Sequence, residues 1–150
     1  MTTTNLPSLK QRIVVGVDGS PESLLAVDWA VWEAQQVGVP LEIVHVDMVD
    51  EDVLELLDYT ARVEKGALAS GVERAQALAP DLDISAKVLG PPTIEALLKE
   101  SENALMLVVG SRGLGAVGSL MLGSVSQACA ARAKCPVVVI GSTPSMTDGV

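Results

Sequence analysis

The sequence predicts a single α/β domain, a parallel sheet with helices on both faces. Three observations carry that expectation. Short apolar runs alternate with segments of helical periodicity from Ile13 to Ile140. The runs are continuously apolar rather than apolar at every second residue, the pattern of strands covered on both faces. The chain has 150 residues, enough to bury roughly two-thirds of its unfolded surface, and neither a repeat nor a linker divides it. The expected boundaries are an N-terminal extension over 1–11, the domain over 12–142 and a polar tail over 143–150.

Ile13–Val17 is a β-branched run that leads into Asp18-Gly19-Ser20-Pro21. Ser20, Pro21 and Glu22 form a helix start: a cap, a proline at the first helical position and an acid near the positive end of the dipole. Leu24, Val27, Ala30, Val31 and Ala34 recur at helical spacing from Ser23 to about Val37, and Gly38 ends the helix. Leu41–Val46 is the second strand. The acidic stretch after it begins as loop, becomes helix and is closed by Pro80. Ile84–Leu89 is the third strand, and Gly90-Pro91-Pro92 leads into a helix over Thr93–Ser101. Leu105–Val109 is the fourth strand. After a glycine-rich loop come a last helix over Ser124–Ala133 and a fifth strand over Pro136–Ile140.

Composition excludes several classes of function. The net charge is −9, whereas affinity for a nucleic-acid backbone comes from Lys and Arg, so nucleic acid is not expected as a partner. No basic amphipathic stretch suits an anionic membrane, no apolar run is long enough to span one, and the start, MTTTNLPSLKQR, lacks the apolar run expected of a signal peptide. The expected location is the cytoplasm, with Cys129 and Cys135 reduced and serving as packing residues. The acids Asp47, Asp50, Glu51, Asp52, Glu55 and Asp58 read as a solvated face, since they lack the turn glycine and spacing of a calcium loop. No metal-binding residue is nominated.

The loop GSRGLGAVGSLMLGSVS, Gly110 to Ser126, holds five glycines and four serines. Glycine loses the most backbone freedom on folding, so ordering such a loop calls for something to order it around. It leaves the carboxyl end of the fourth strand, where ligands of open parallel sheets sit. Ser124-x-x-Gln127 fits a capping box and places the helix start at about Ser124. The amides of Ser124, Val125 and Ser126 would then face an anion from the positive end of that helix. Glycines 110, 113 and 123 would let the backbone approach the ligand, with Arg112 facing either solvent or phosphate. The segment Gly113–Gly118 matches G-x-G-x-x-G, but no acid follows about 20 residues on and the helix starts too late for a dinucleotide fold. A Walker loop is excluded because no Lys-Ser or Lys-Thr follows the glycines.

Gly110, Gly113, Gly123 and Ser124 keep the spacing G-x2-G-x9-G-S. With IVVGVDGSPESLLAVDWA at the front, LEIVHV, LVVGSRG and the closing GSVSQACAARAKCPVVVI, the chain resembles the universal stress protein family, specifically its ATP-binding subgroup. The resemblance implies a Rossmann-like, adenine nucleotide alpha hydrolase-like sheet of strand order 3-2-1-4-5. It further implies that Asp18, beside Gly16 and Val17, meets adenine together with the backbone at Val46. Val109 and Gly110 would lie along the adenosine, Gly113 near ribose and phosphates, and Gly123, Ser124, Val125 and Ser126 at the phosphates. Leu105 departs from the Asp often found before the fourth strand.

The implied function is ATP-dependent regulation in stress response, with Mg2+ arriving on the phosphates. Cyclic AMP, preferred by some actinobacterial-type members, is the alternative ligand. An interaction module with a vestigial pocket is the alternative from another class. No catalytic residue is nominated, because the loop offers no general base and no Lys for developing phosphoryl charge; hydrolysis would be slow at most. Asp18 has a competing reading as a turn residue, although Ser20 is the better helix cap. His45, flanked by Val44 and Val46, reads as structural. The apolar edge strand Pro136–Ile140 needs a cover, and the family commonly pairs it across a homodimer.

Overall fold

β-branched and aliphatic residues at 13–15, 41–44 and 107–109 build the centre of the sheet, where all of them except Glu42 are buried. The computed structural model describes residues 11–47, 66–112 and 122–141. In chain order these form β1 (Ile13–Gly16), α1 (Pro21–Val37), β2 (Leu41–Val46), α2 (Ala67–Leu78), β3 (Ile84–Leu89), α3 (Thr93–Glu100), β4 (Met106–Gly110), α4 (Ser124–Arg132) and β5 (Val137–Ile140). The strands lie in the order β3-β2-β1-β4-β5, every pair parallel. The fold class expected from the sequence is therefore the one observed.

Alternation along each strand divides the core. Ile13, Val15, Ile43 and Val108 face α1 and α2, whereas Val14, Val44, Leu107 and Val109 face α3 and α4 with Leu97 and Cys129. Small residues bring α1 close: Ala26, Ala30 and Ala34 are fully buried against the sheet. Gly71 does the same for α2, since a Cβ there would lie 3.2 Å from Val17 Cγ1. Both cysteines are free; Cys129 is buried and packed, and burial pushes its thiol pKa up, as suits a packing residue.

The first helix follows its expected signals. Ser20 Oγ accepts from the Ser23 N–H (3.2 Å), Pro21 opens the helix, and Gly38 closes it at φ 79° with its N–H on Ala34 O (2.8 Å). Other boundaries shift by a residue. β1 stops at Gly16, although the Val17 N–H still reaches Val44 O (2.9 Å). β4 runs from Met106 to Gly110 and β5 starts at Val137, because Pro136 has no N–H to give the ladder. Ser101 and Ala133 are C-caps rather than helical residues.

The expected capping box at Ser124 does not form. Gly123 occupies the cap position without a side-chain cap, Ser124 is already helical, and Gln127 Nε2 donates to Leu122 O (3.0 Å) instead. Within the acidic stretch, residues 48–65 lie outside the described residues, as do the extension over 1–10 and the tail over 142–150.

Candidate functional site

The reversal of strand order falls between β1 and β4, which are hydrogen-bonded neighbours whose chains leave in opposite directions along the sheet. At their carboxyl ends opens a crevice of about 490 Å³, a volume suited to a small ligand. The nominated residues converge there. Gly16, Val17 and Asp18 come from the end of β1, Val46 from the end of β2, Val109, Gly110 and Arg112 from β4 and its exit, and Gly123 to Ser126 from the start of α4. The remaining nominee, Gly113, lies outside the described residues.

Asp18 does two things. It borders the crevice, and its Oδ1 accepts from the Ser20 N–H (2.9 Å), so the turn reading is also correct for this side chain. Gly19, at φ 88°, makes that turn. The turn sets the start of α1, whose Ser20 Oγ reaches Arg112 O (3.5 Å) across the mouth of β4. His45 donates Nδ1–H to Val17 O (2.7 Å), tying the ends of β1 and β2 together as a structural residue at the crevice wall.

On the other side, the two limbs of the glycine loop are fastened where they leave the sheet. The Gly123 N–H donates to Ser111 O (2.6 Å), and the buried Ser126 Oγ donates to both Ser111 O and Gly123 O (3.0 Å each). The first bond within α4 is from Gln127 N–H to Gly123 O (3.0 Å), so the amides of Ser124, Val125 and Ser126 precede the helical ladder. Ser126 thereby spends its hydroxyl on holding the loop.

Gly110 also has a different reason from the one the sequence suggested. A Cβ there would lie 2.9 Å from Glu22 C and Ser23 N, so glycine is required by the backbone of α1, not by an approaching ligand. Arg112 lines the crevice and is paired rather than simply solvated. Its Nη2 lies 3.3 Å from Glu22 Oε1, with the side chains 24% and 14% exposed.

The crevice includes residues that sequence reasoning left out. Thr93 and Leu97, on the first turns of α3, form part of its wall, as do Ser20, Ser23 and Ser111. A glycine-proline-proline turn before Thr93 marked a helix start at the carboxyl end of β3, which is the signal that could have found it. Among the described residues no group of three or more His, Cys, Asp or Glu is placed to hold a metal, and no helix is long and apolar enough to cross a membrane.

An open parallel sheet with a ligand-sized crevice at its switch point, walled by an acidic turn and a helix N-terminus, defines a Rossmann-like domain. The sequence pattern of the universal stress protein family matches residues 10–141, and the chain belongs to that family. Universal stress protein Rv2005c of Mycobacterium tuberculosis is 40% identical over 132 residues, covering 85% of this chain and 44% of the relative. The chain spans about half the length of the curated relatives it matches.

Among solved structures, a universal stress protein in complex with cAMP is similar with a TM-score of 0.70 at 30% identity, covering 89% of this chain and 98% of that one. A universal stress protein from Archaeoglobus fulgidus shares the fold at a TM-score of 0.68 and 23% identity, covering 87% and 93%.

Proposed function

We propose that this chain binds an adenine nucleotide in the crevice and acts as a nucleotide-dependent regulator in a stress response. The observation that carries the reading is the convergence of Asp18, the backbone at Val46 and the first amides of α4 on one cavity. Asp18 and Val46, with Gly16 and Val17, would receive the base. Val109 and Gly110 would flank the adenosine, and Gly113 and Gly123 to Ser126 the ribose and phosphates, where the α4 dipole favours an anion.

ATP, with Mg2+ arriving on its phosphates, is one ligand of this reading. Cyclic AMP is the second, favoured by the similar structure in complex with cAMP. No lysine lines the described crevice, which is in keeping with slow hydrolysis of ATP at most. The four residues of β5, all half-buried at the edge of the sheet, support a homodimer paired along that strand, and the cytoplasm remains the expected location.

Calorimetric titration of nucleotide-stripped protein with ATP and with cAMP tests the reading. Gly123→Val should abolish binding of either. Asp18→Asn, which keeps an oxygen for the Ser20 N–H, should weaken both by about tenfold through the base. A folded wild type that binds neither would remove the nucleotide reading and leave an interaction module in its place.

A further inference from the structure

The loop from Gly110 to Ser126 contains a single charged residue, Arg112. Residues 113–121, which the structure does not describe, contribute no charge of either sign. Among the described residues lining the crevice the charged side chains are Asp18 and Arg112, so the pairing of Arg112 bears directly on the charge an anion meets near the start of α4. Arg112 pairs with Glu22, 90 residues away in sequence.

Glu22 cannot easily withdraw. It sits in the first turn of α1, whose backbone at Glu22 and Ser23 is pressed against Gly110. Ser20 Oγ donates to Arg112 O (3.5 Å), and Ser111 O, one residue before Arg112, accepts from Gly123 N–H and Ser126 Oγ. The ion pair is thus fixed beside the start of α4.

We propose that Glu22 sets the charge selectivity of the nucleotide site by neutralising Arg112, so that the crevice favours an adenine nucleotide of low phosphate charge. The inference rests on the nucleotide reading above and deepens it. A guanidinium already paired with a carboxylate attracts an incoming anion little, and the carboxylate repels it in proportion to its charge. The helix dipole amounts to roughly half an elementary charge. It suits the single negative charge of a cyclic phosphodiester better than the several charges of a triphosphate. Glu22 stands behind Arg112 rather than on the crevice wall, and is a positioning residue.

The experiment measures the affinities of adenosine, cAMP and metal-free ATP for wild type and Glu22→Gln, with melting temperatures alongside. In Glu22→Gln the ATP-to-cAMP affinity ratio should rise by about tenfold while adenosine binding stays within about twofold. Arg112→Gln, which leaves the carboxylate in place, should lower the same ratio, and the double variant should return it toward wild type. These two keep the test independent of how well Glu22→Gln folds.

An unchanged ratio in Glu22→Gln overturns the proposal. So does a fall in ATP affinity with adenosine retained, because Glu22 would then serve only to hold Arg112 for phosphate. Equal loss of all three ligands overturns it as well, by making the pair structural. Absence of adenosine and nucleotide binding by wild type overturns the nucleotide reading itself, and this inference with it.

Discussion

At the amino end of the sheet Arg12 holds Glu42 (3.3 Å) and donates to Glu100 O (2.7 Å), while Lys87 reaches both oxygens of Glu100 (3.3 Å). At the carboxyl end Arg112 holds Glu22 at the same 3.3 Å, yet there the protein opens a crevice. The difference comes from the backbone. At the amino end three strands give an early N–H to the segment entering a neighbouring strand: Ile13 of β1 to Pro40 O, Leu41 of β2 to Asp83 O and Leu107 of β4 to Pro136 O. Leu105, just before β4, gives its own to Arg12 O. At the carboxyl end strands stop and helices start, so amides at the head of α4 face outward before the helical ladder begins. Ion pairs close one end and fasten the rim of the other.

The largest effect that would sharpen this contrast is expected at Gly110. In Gly110→Val the new Cβ meets the backbone of α1 at 2.9 Å, and neither β4 nor the head of a helix can move aside cheaply. A loss of about 3 kcal/mol in chemical denaturation is expected, with nucleotide binding lost through the fold. Gly123→Val should instead lose binding with a near-normal melting curve. If both variants kept wild-type stability, the two glycines would share one role and the close packing of α1 on β4 would not matter.

Arg12→Met comes next. It leaves the partly covered carboxylates of Glu42 and Glu100 without their shared cation and the Glu100 carbonyl without its donor, which should cost about 2 kcal/mol. Because the cluster lies at the closed end, nucleotide affinity should not change once the protein is folded. A change in affinity without a change in stability would break the division between the two ends.

Ser126→Ala is expected to be milder. The buried hydroxyl serves two carbonyls that each keep another donor, Ser111 O from Gly123 N–H and Gly123 O from Gln127 N–H. Its removal should cost about 1 kcal/mol and weaken nucleotide binding by loosening the exit of the loop. Urea denaturation paired with calorimetry separates the two effects. Stability lost with affinity intact would mean that the limbs of the loop need no fastening.

The closed end was the less legible of the two in the sequence. Continuous apolar strands, the Ser20-Pro21-Glu22 start and Gly38 were readable because each acts within a few residues of itself. The crevice was readable because many of the residues that line it cluster at the roots of one glycine loop and in one Asp-Gly turn. The pairs Arg12 with Glu100 and Arg112 with Glu22 join residues 88 and 90 apart, and no periodicity carries such a match. The reason for Gly110 was hidden in the same way, since it depends on how closely α1 crosses β4. The capping box at Ser124 was misread because a local motif competes with neighbours: Gly123 is tied to Ser111, which shifts the cap by one residue.

The smallest predicted effect lies in the acid pair at the closed end. With both carboxyls ionised neither oxygen could donate, and Glu42 Oε1 would be buried without a partner. Burial pushes the Glu42 pKa above its ordinary 4.5, helped by a hydrogen bond to Glu100 that a proton on Glu42 makes possible. The pKa of Glu100 is lowered in spite of its own burial by that bond and by Lys87 and Arg12.

The signs are opposite. Between the lowered pKa of Glu100 and 4.5 the unfolded chain binds more protons, so this group makes stability rise with pH. From 4.5 up to the raised pKa of Glu42 the folded protein binds more, so stability falls as pH rises. In Glu42→Gln an amide N–H replaces the shared proton, and the falling limb should disappear. Urea midpoints from about pH 4 to 8 should therefore move in the variant's favour above the ordinary carboxyl range. Parallel curves for the two proteins would mean that no proton is shared, and that Arg12 and Lys87 balance the pair without one.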